Sequence, residues 1–104
     1  MTNGLMRLAD LRQLLLDMER DLGLADLPEQ ETRLLYAVAI QTRAKPEVSL
    51  VELQEHPLMA DISRSTFFRA LKHLIKRGYL EKTGAEKRAG YKLINAPLSL
   101  LPLQ

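Results

Sequence analysis

The sequence predicts a mainly α-helical fold with a small β-hairpin, four helices followed by two strands. Three observations predict it. Apolar residues recur at helical spacing over residues 5–23. Prolines and capping residues then divide the chain into three further helical segments. Last, two β-prone runs flank a loop bounded by Gly84 and Gly90. A length of 104 residues suits a single domain, and 46% hydrophobic with 27% charged residues describes a folded chain, not a disordered one.

In the first helix, Leu8, Leu11, Leu15, Met18 and Leu22 fall at spacings of 3, 4, 3 and 4, the rhythm of a coiled-coil seam. Leu5, Leu14 and Leu16 widen that arc on both flanks. A surface helix needs only one such stripe to sit on its own core. The excess predicts a dimerisation helix over 5–23, with the five seam residues at the interface. The alternative is a helix packed wholly within its own monomer.

Asp26-Leu27-Pro28-Glu29 opens the second helix, because proline is tolerated in a first turn and Glu29 and Glu31 complement the positive helix end. Leu34, Leu35, Ala37, Val38 and Ile40 are its expected buried side, and Pro46 closes the segment. Ser49-Leu50-Val51-Glu52 matches a capping box and predicts a short third helix with Leu50, Val51 and Leu53 inward, ending before Pro57. A connection through Leu58-Met59-Ala60-Asp61-Ile62 leads to Ser63, the expected cap of the fourth helix. Helix, connection and helix make a helix-turn-helix, with a connection longer than the shortest form of that motif.

On a helical wheel centred at Leu71, the residues Phe67, Phe68, Leu74 and Ile75 share its side. Ser65, Thr66, Arg69, Lys72, His73, Lys76 and Arg77 fill the opposite arc. Gly78 suits the left-handed position that ends a helix. Residues 79–83 and 91–94 are the arms of the hairpin, with Lys82 and Lys92 on them and Lys87 and Arg88 at the tip. Pro97 and Pro102 argue against a regular element in the tail 95–104, whose leucines are expected to dock on the first helix or on a partner.

Charge is distributed unevenly. Residues 63–92 carry nine Lys or Arg against two acids, whereas the first 44 residues carry five against seven and residues 45–62 one against four. The whole chain is only +2. A basic helix with a basic hairpin behind it suits a polyanion, and duplex DNA is the expected partner.

Residue types suggest the roles. Arg64, Ser65 and Thr66 stand in the first turn of the fourth helix, where free N–H groups attract phosphate, and they can reach phosphates or base edges. Arg69 is suited to bidentate recognition of guanine, while Lys72 and Lys76 are suited to phosphates. Lys82, Lys87 and Arg88 place the hairpin on the backbone, with Arg88 able to enter a minor groove. His73 is expected to be solvent-exposed, with no second ligand at i+4, and His56 to be a loop residue.

Other function classes find little support. The chain contains no cysteine, so neither a disulfide framework nor a thiolate zinc site is possible. There is no glycine-rich phosphate loop, no metal-spaced His/Asp/Glu cluster and no nucleophile beside a base, so neither catalysis nor a cofactor or metal is expected. Arg7, Asp10, Arg12 and Gln13 interrupt the start as a signal peptide, and no stretch approaches the roughly 20 apolar residues that span a bilayer. A cytoplasmic protein without a membrane partner is expected.

Ile62-Ser63-Arg64-Ser65-Thr66, Ala70-Leu71-Lys72-His73-Leu74 and Lys76-Arg77-Gly78-Tyr79-Leu80-Glu81-Lys82 together resemble the winged helix-turn-helix of MarR-like transcriptional regulators. There these stretches enter the recognition helix, form its core-facing middle and turn into the wing. The resemblance covers residues 27–94 as the DNA-binding core. It implies sequence-specific binding of double-stranded DNA by a small dimeric regulator, with helix 64–77 in the major groove and wing 79–94 on the backbone or minor groove. Those regulators are usually longer, with C-terminal helices that build the dimer and line an effector pocket. No small-molecule effector is therefore inferred, and the first helix is the expected site of pairing. The wing carries Glu86-Lys87-Arg88 in place of the family's acidic and arginine pattern. The alternatives are a winged helix that binds protein, and a phage or plasmid replication or partition factor.

Overall fold

A computed structural model describes residues 2–84 and 90–94. Helix α1 spans Thr2–Asp21, and its end follows from Gly23, which adopts φ of 78°. The Gly23 N–H donates to the Arg20 carbonyl at 3.1 Å and the Leu24 N–H to the Glu19 carbonyl at 2.7 Å. Those are the two bonds that close a helix through a left-handed residue.

Helix α2 (Glu29–Gln41) begins after Pro28 and buries Leu34, Leu35, Ala37 and Val38. Ile40, expected inside, is exposed, because two residues beyond Val38 is about 200° around the helix. The same geometry corrects Val51, which stands two residues from the buried Leu53 and is exposed on α3 (Leu50–Gln54). The capping box expected there is present. Ser49 Oγ accepts from the Glu52 N–H at 3.2 Å, and Glu52 Oε1 accepts from the Ser49 N–H at 2.9 Å.

The long connection is filled by a 3-10 turn, Pro57–Met59, with Met59 buried. His56 is more than a loop residue: its Nδ1 accepts from the Leu58 N–H at 3.1 Å and so caps that turn. Arg33 fastens the turn to α2, donating from Nε to the Leu58 carbonyl at 2.9 Å and pairing with Asp61. The Arg33 guanidinium holds the Asp61 carboxyl below the usual carboxylate range.

Helix α4 (Arg64–Lys76) starts at Ser63, whose Oγ accepts from the Thr66 N–H at 3.2 Å. It ends at Gly78, φ 88°, where the Tyr79 N–H reaches the Leu74 carbonyl. Phe67, Ala70, Leu71 and Leu74 are buried on its inner side.

The expected hairpin is found as β2 (Leu80–Thr83) and β3 (Gly90–Leu93). A third strand, β1 (Val48–Ser49), adds to it, giving an antiparallel sheet in the order β1-β3-β2. Val48 pairs with Tyr91 and Ser49 with Gly90. A Cβ at Gly90 would lie 2.6 Å from the Glu47 carboxylate that accepts from Thr83, so the Glu47 side chain would have to swing aside.

The fold is mainly helical with a small three-stranded sheet. Leu34, Val38, Val48, Leu53, Leu74 and Leu80 are the largest fully buried side chains among the described residues, so α2, α3, α4 and the sheet share one core. Helix α1 joins that body only through its last turns, where Leu22 packs on the core and Tyr36 on α2 donates its hydroxyl to Glu19. The side chains of residues 3–16 are all exposed. Among the described residues nothing covers that stretch of α1. Among the described residues no helix is long and apolar enough to cross a membrane.

Candidate nucleic-acid interface

The outer surface of α4 divides into two rows, each at the i, i+4, i+7, i+11 spacing that keeps residues on one line. Ser65, Arg69, Lys72 and Lys76 form one row, and all four are exposed. Arg69, Lys72 and Lys76 have no ion pair among the described residues. Helix α4 is about 20 Å long at 13 residues, and the three charges span about 10 Å of it, its C-terminal half.

Thr66, Ala70, His73 and Arg77 form the second row, which faces α2. Ala70 is buried, and its small side chain lets the helices approach. Below this row lies Glu31, the one buried charged residue among those described, at 3% exposure. Its Oε2 is 3.0 Å from His73 Nδ1 and its Oε1 is 3.2 Å from Arg77 Nε. The Arg77 N–H is out of line, so that contact is an ion pair without a hydrogen bond and Oε1 accepts none. Both partners are about half exposed, which lets water share the charge.

His73 is exposed, as expected, and in addition has a carboxylate partner in Glu31. The signal lay on α2: Glu31 is three residues before Leu34 and seven before Val38, on the buried line of that helix. Read alone, its place in the first turn was already explained by the helix dipole.

The remaining candidates are less uniform. Arg64 is exposed and its guanidinium stands 5.3 Å from the centroid of the Phe68 ring, a cation–π contact that orients it across the helix start. Thr66 is half-buried, with its hydroxyl 2.9 Å from Ser63 Oγ, so it is tied into the cap. Lys82 is exposed on β2, opposite Tyr91. Lys92 is ion-paired to Glu81 at 3.5 Å. Lys87 and Arg88 lie outside the described residues, as does the tail 95–104.

Arg69 also borders a surface cleft of about 230 Å³ with Pro28, Gln30, Glu31, Thr66 and His73. Its walls are polar and charged, and among the described residues no group of three or more His, Cys, Asp or Glu could hold a metal ion. The arrangement offers, among the described residues, a row of unpaired cations on one helix, with a buried carboxylate beneath the adjacent row. Comparison with protein-family models and with characterised proteins gives no match for this sequence.

Proposed function

We propose that this protein binds duplex DNA as a winged helix-turn-helix, with α4 in the major groove and the β2–β3 hairpin against the backbone or minor groove, and that it acts as a small transcriptional regulator. The observation that carries the reading is the exposed row Ser65, Arg69, Lys72 and Lys76. Three cations without acidic partners among the described residues, on one 13-residue helix, create a potential that attracts phosphate. The helix width suits a groove of about 12 Å. Charge supports the reading too, since acids outnumber bases over residues 1–62 and the positive excess lies in 63–92.

Within this reading the residues divide the work. Arg69, in the middle of the row, makes the bidentate contact to a guanine edge. Lys72 and Lys76 contact phosphates, which set affinity and register without carrying sequence information. Arg64 and Ser65 meet the backbone at the helix start, and Lys82 does so from the hairpin.

Selection of bound sequences from a random duplex pool tests the proposal. An enriched motif is expected, and Arg69→Ala should cost about 1–3 kcal/mol on it while relaxing preference at one base position. Lys76→Ala should weaken binding to every sequence alike. Absence of any salt-dependent duplex binding by the wild type would overturn the reading and leave a protein-binding winged helix in its place.

A further inference from the structure

We infer that the exposed face of α1 pairs antiparallel with the same face of a second copy, making a two-fold symmetric homodimer. The inference stands on α1 alone and does not require that the protein bind DNA. Leu8, Leu11 and Met18 are 65%, 55% and 51% exposed, although they fall on one coiled-coil line with Leu15. A helix of 20 residues draws most of its stability from packing its apolar side, and only the last turns of α1 have that support here.

The charges beside the line identify the occupant as another α1 and set its direction. Arg7 and Arg12 flank the first half of the seam, and Glu19 and Asp21 flank the second. Reversing the second helix brings Leu8 opposite Met18 of the second copy and Leu11 opposite Leu15. Arg7 then lies beside Asp21 of the second copy, and symmetry repeats that pair. Arg12 meets its own counterpart near the two-fold, one like-charge contact at a solvated position. Parallel helices would instead set Arg7 beside Arg12 twice and have no opposing pair to offset it. Sliding the antiparallel register by seven residues in either direction leaves part of the seam uncovered. Arg7, Arg12 and Asp21 are exposed and form no ion pair among the described residues.

The absence of cysteine from the sequence permits a direct test on the full chain. Sedimentation at tens of micromolar should show dimers. On mixing under mild oxidation, Leu8→Cys chains should cross-link to Met18→Cys chains, and neither variant to itself. Arg7→Glu should raise the dimer dissociation constant about tenfold, as should Asp21→Arg, and the double exchange should restore it. Leu8→Glu with Leu11→Glu should give monomers that keep the near-ultraviolet signal of the core tyrosines. Efficient Leu8→Cys self-linkage would overturn the antiparallel direction. A monomeric wild type would overturn the pairing. So would dimers that form only after Leu98→Glu and Leu101→Glu, because residues 95–104 would then be the natural occupant of the face.

Discussion

Arg69, Lys72 and Lys76 differ from Arg77 in what lies beneath them. Arg77 shares the buried carboxylate of Glu31 with His73, whereas the other three form no ion pair among the described residues. Glu31 therefore subtracts from the potential of one side of α4 and holds two of its side chains in place. Glu31→Gln is expected to destabilise the fold by about 1–2 kcal/mol. That is less than the 3–5 kcal/mol of a fully buried broken pair, because His73 and Arg77 are half exposed. Affinity for arbitrary duplexes should rise slightly, and the preference for a selected site should fall. Thermal denaturation and binding to selected and scrambled duplexes check the two halves separately. The cationic row was legible in the sequence, since hydrophobic periodicity on α4 defines its outer arc. The division of that arc was not. A wheel describes one helix, and the acid that contacts His73 and Arg77 arrives from another, 42 residues from His73.

At the scale of elements, caps carried most of the legible information. Ser49, Ser63 and Gly78 each meet the backbone groups that their helix end leaves open, and they mark those boundaries to within a residue or two. Strand β1 was not legible, because two residues have no period and its partner is remote in sequence. The capping box on α3 has a titration of its own. The Lys45 ammonium, then the Ser49 N–H, lowers the Glu52 carboxyl to about 2 from 4.5. Its folded value lies below its unfolded one, so its contribution is complete above about pH 4.5 and is lost as pH falls towards 2. The Ser49 amide resonance should shift over that range, with the Glu52 side chain titrating in parallel. Glu52→Gln should abolish the transition while leaving the Ser63 cap of α4 unaffected.

The whole molecule separates its tasks along the chain. Negative charge and the open apolar helix lie in the first half, and positive charge in the second, so a polyanion would be drawn to α4 rather than to α1. In the proposed antiparallel dimer two α4 helices would be related by a two-fold, and under the DNA-binding proposal a target of two half-sites is expected, about 34 Å or a multiple apart. If six to ten phosphates are neutralised per dimer, log affinity should fall with log salt at a slope of about −5 to −9. Lys76→Ala should flatten that slope by about 1 for each phosphate lost, measured by fluorescence anisotropy across a salt series.

The pairing of Val48 with Tyr91 also bears on how the molecule assembles. The β2–β3 hairpin closes locally, with Thr83 and Gly90 facing each other only seven residues apart, whereas β1 joins it across 43 residues of chain. Closing the longer loop costs more chain entropy and must wait for α2 and α4 to bring the ends together. The third strand should therefore form on the native side of the folding barrier. Val48→Ala, at a fully buried position, is expected to speed unfolding and to leave the folding rate nearly unchanged in a stopped-flow chevron. Ser49 is at once the strand residue opposite Gly90 and the cap of α3, so β1 runs directly into that helix. Release of that two-residue strand is then a route by which the molecule unlocks.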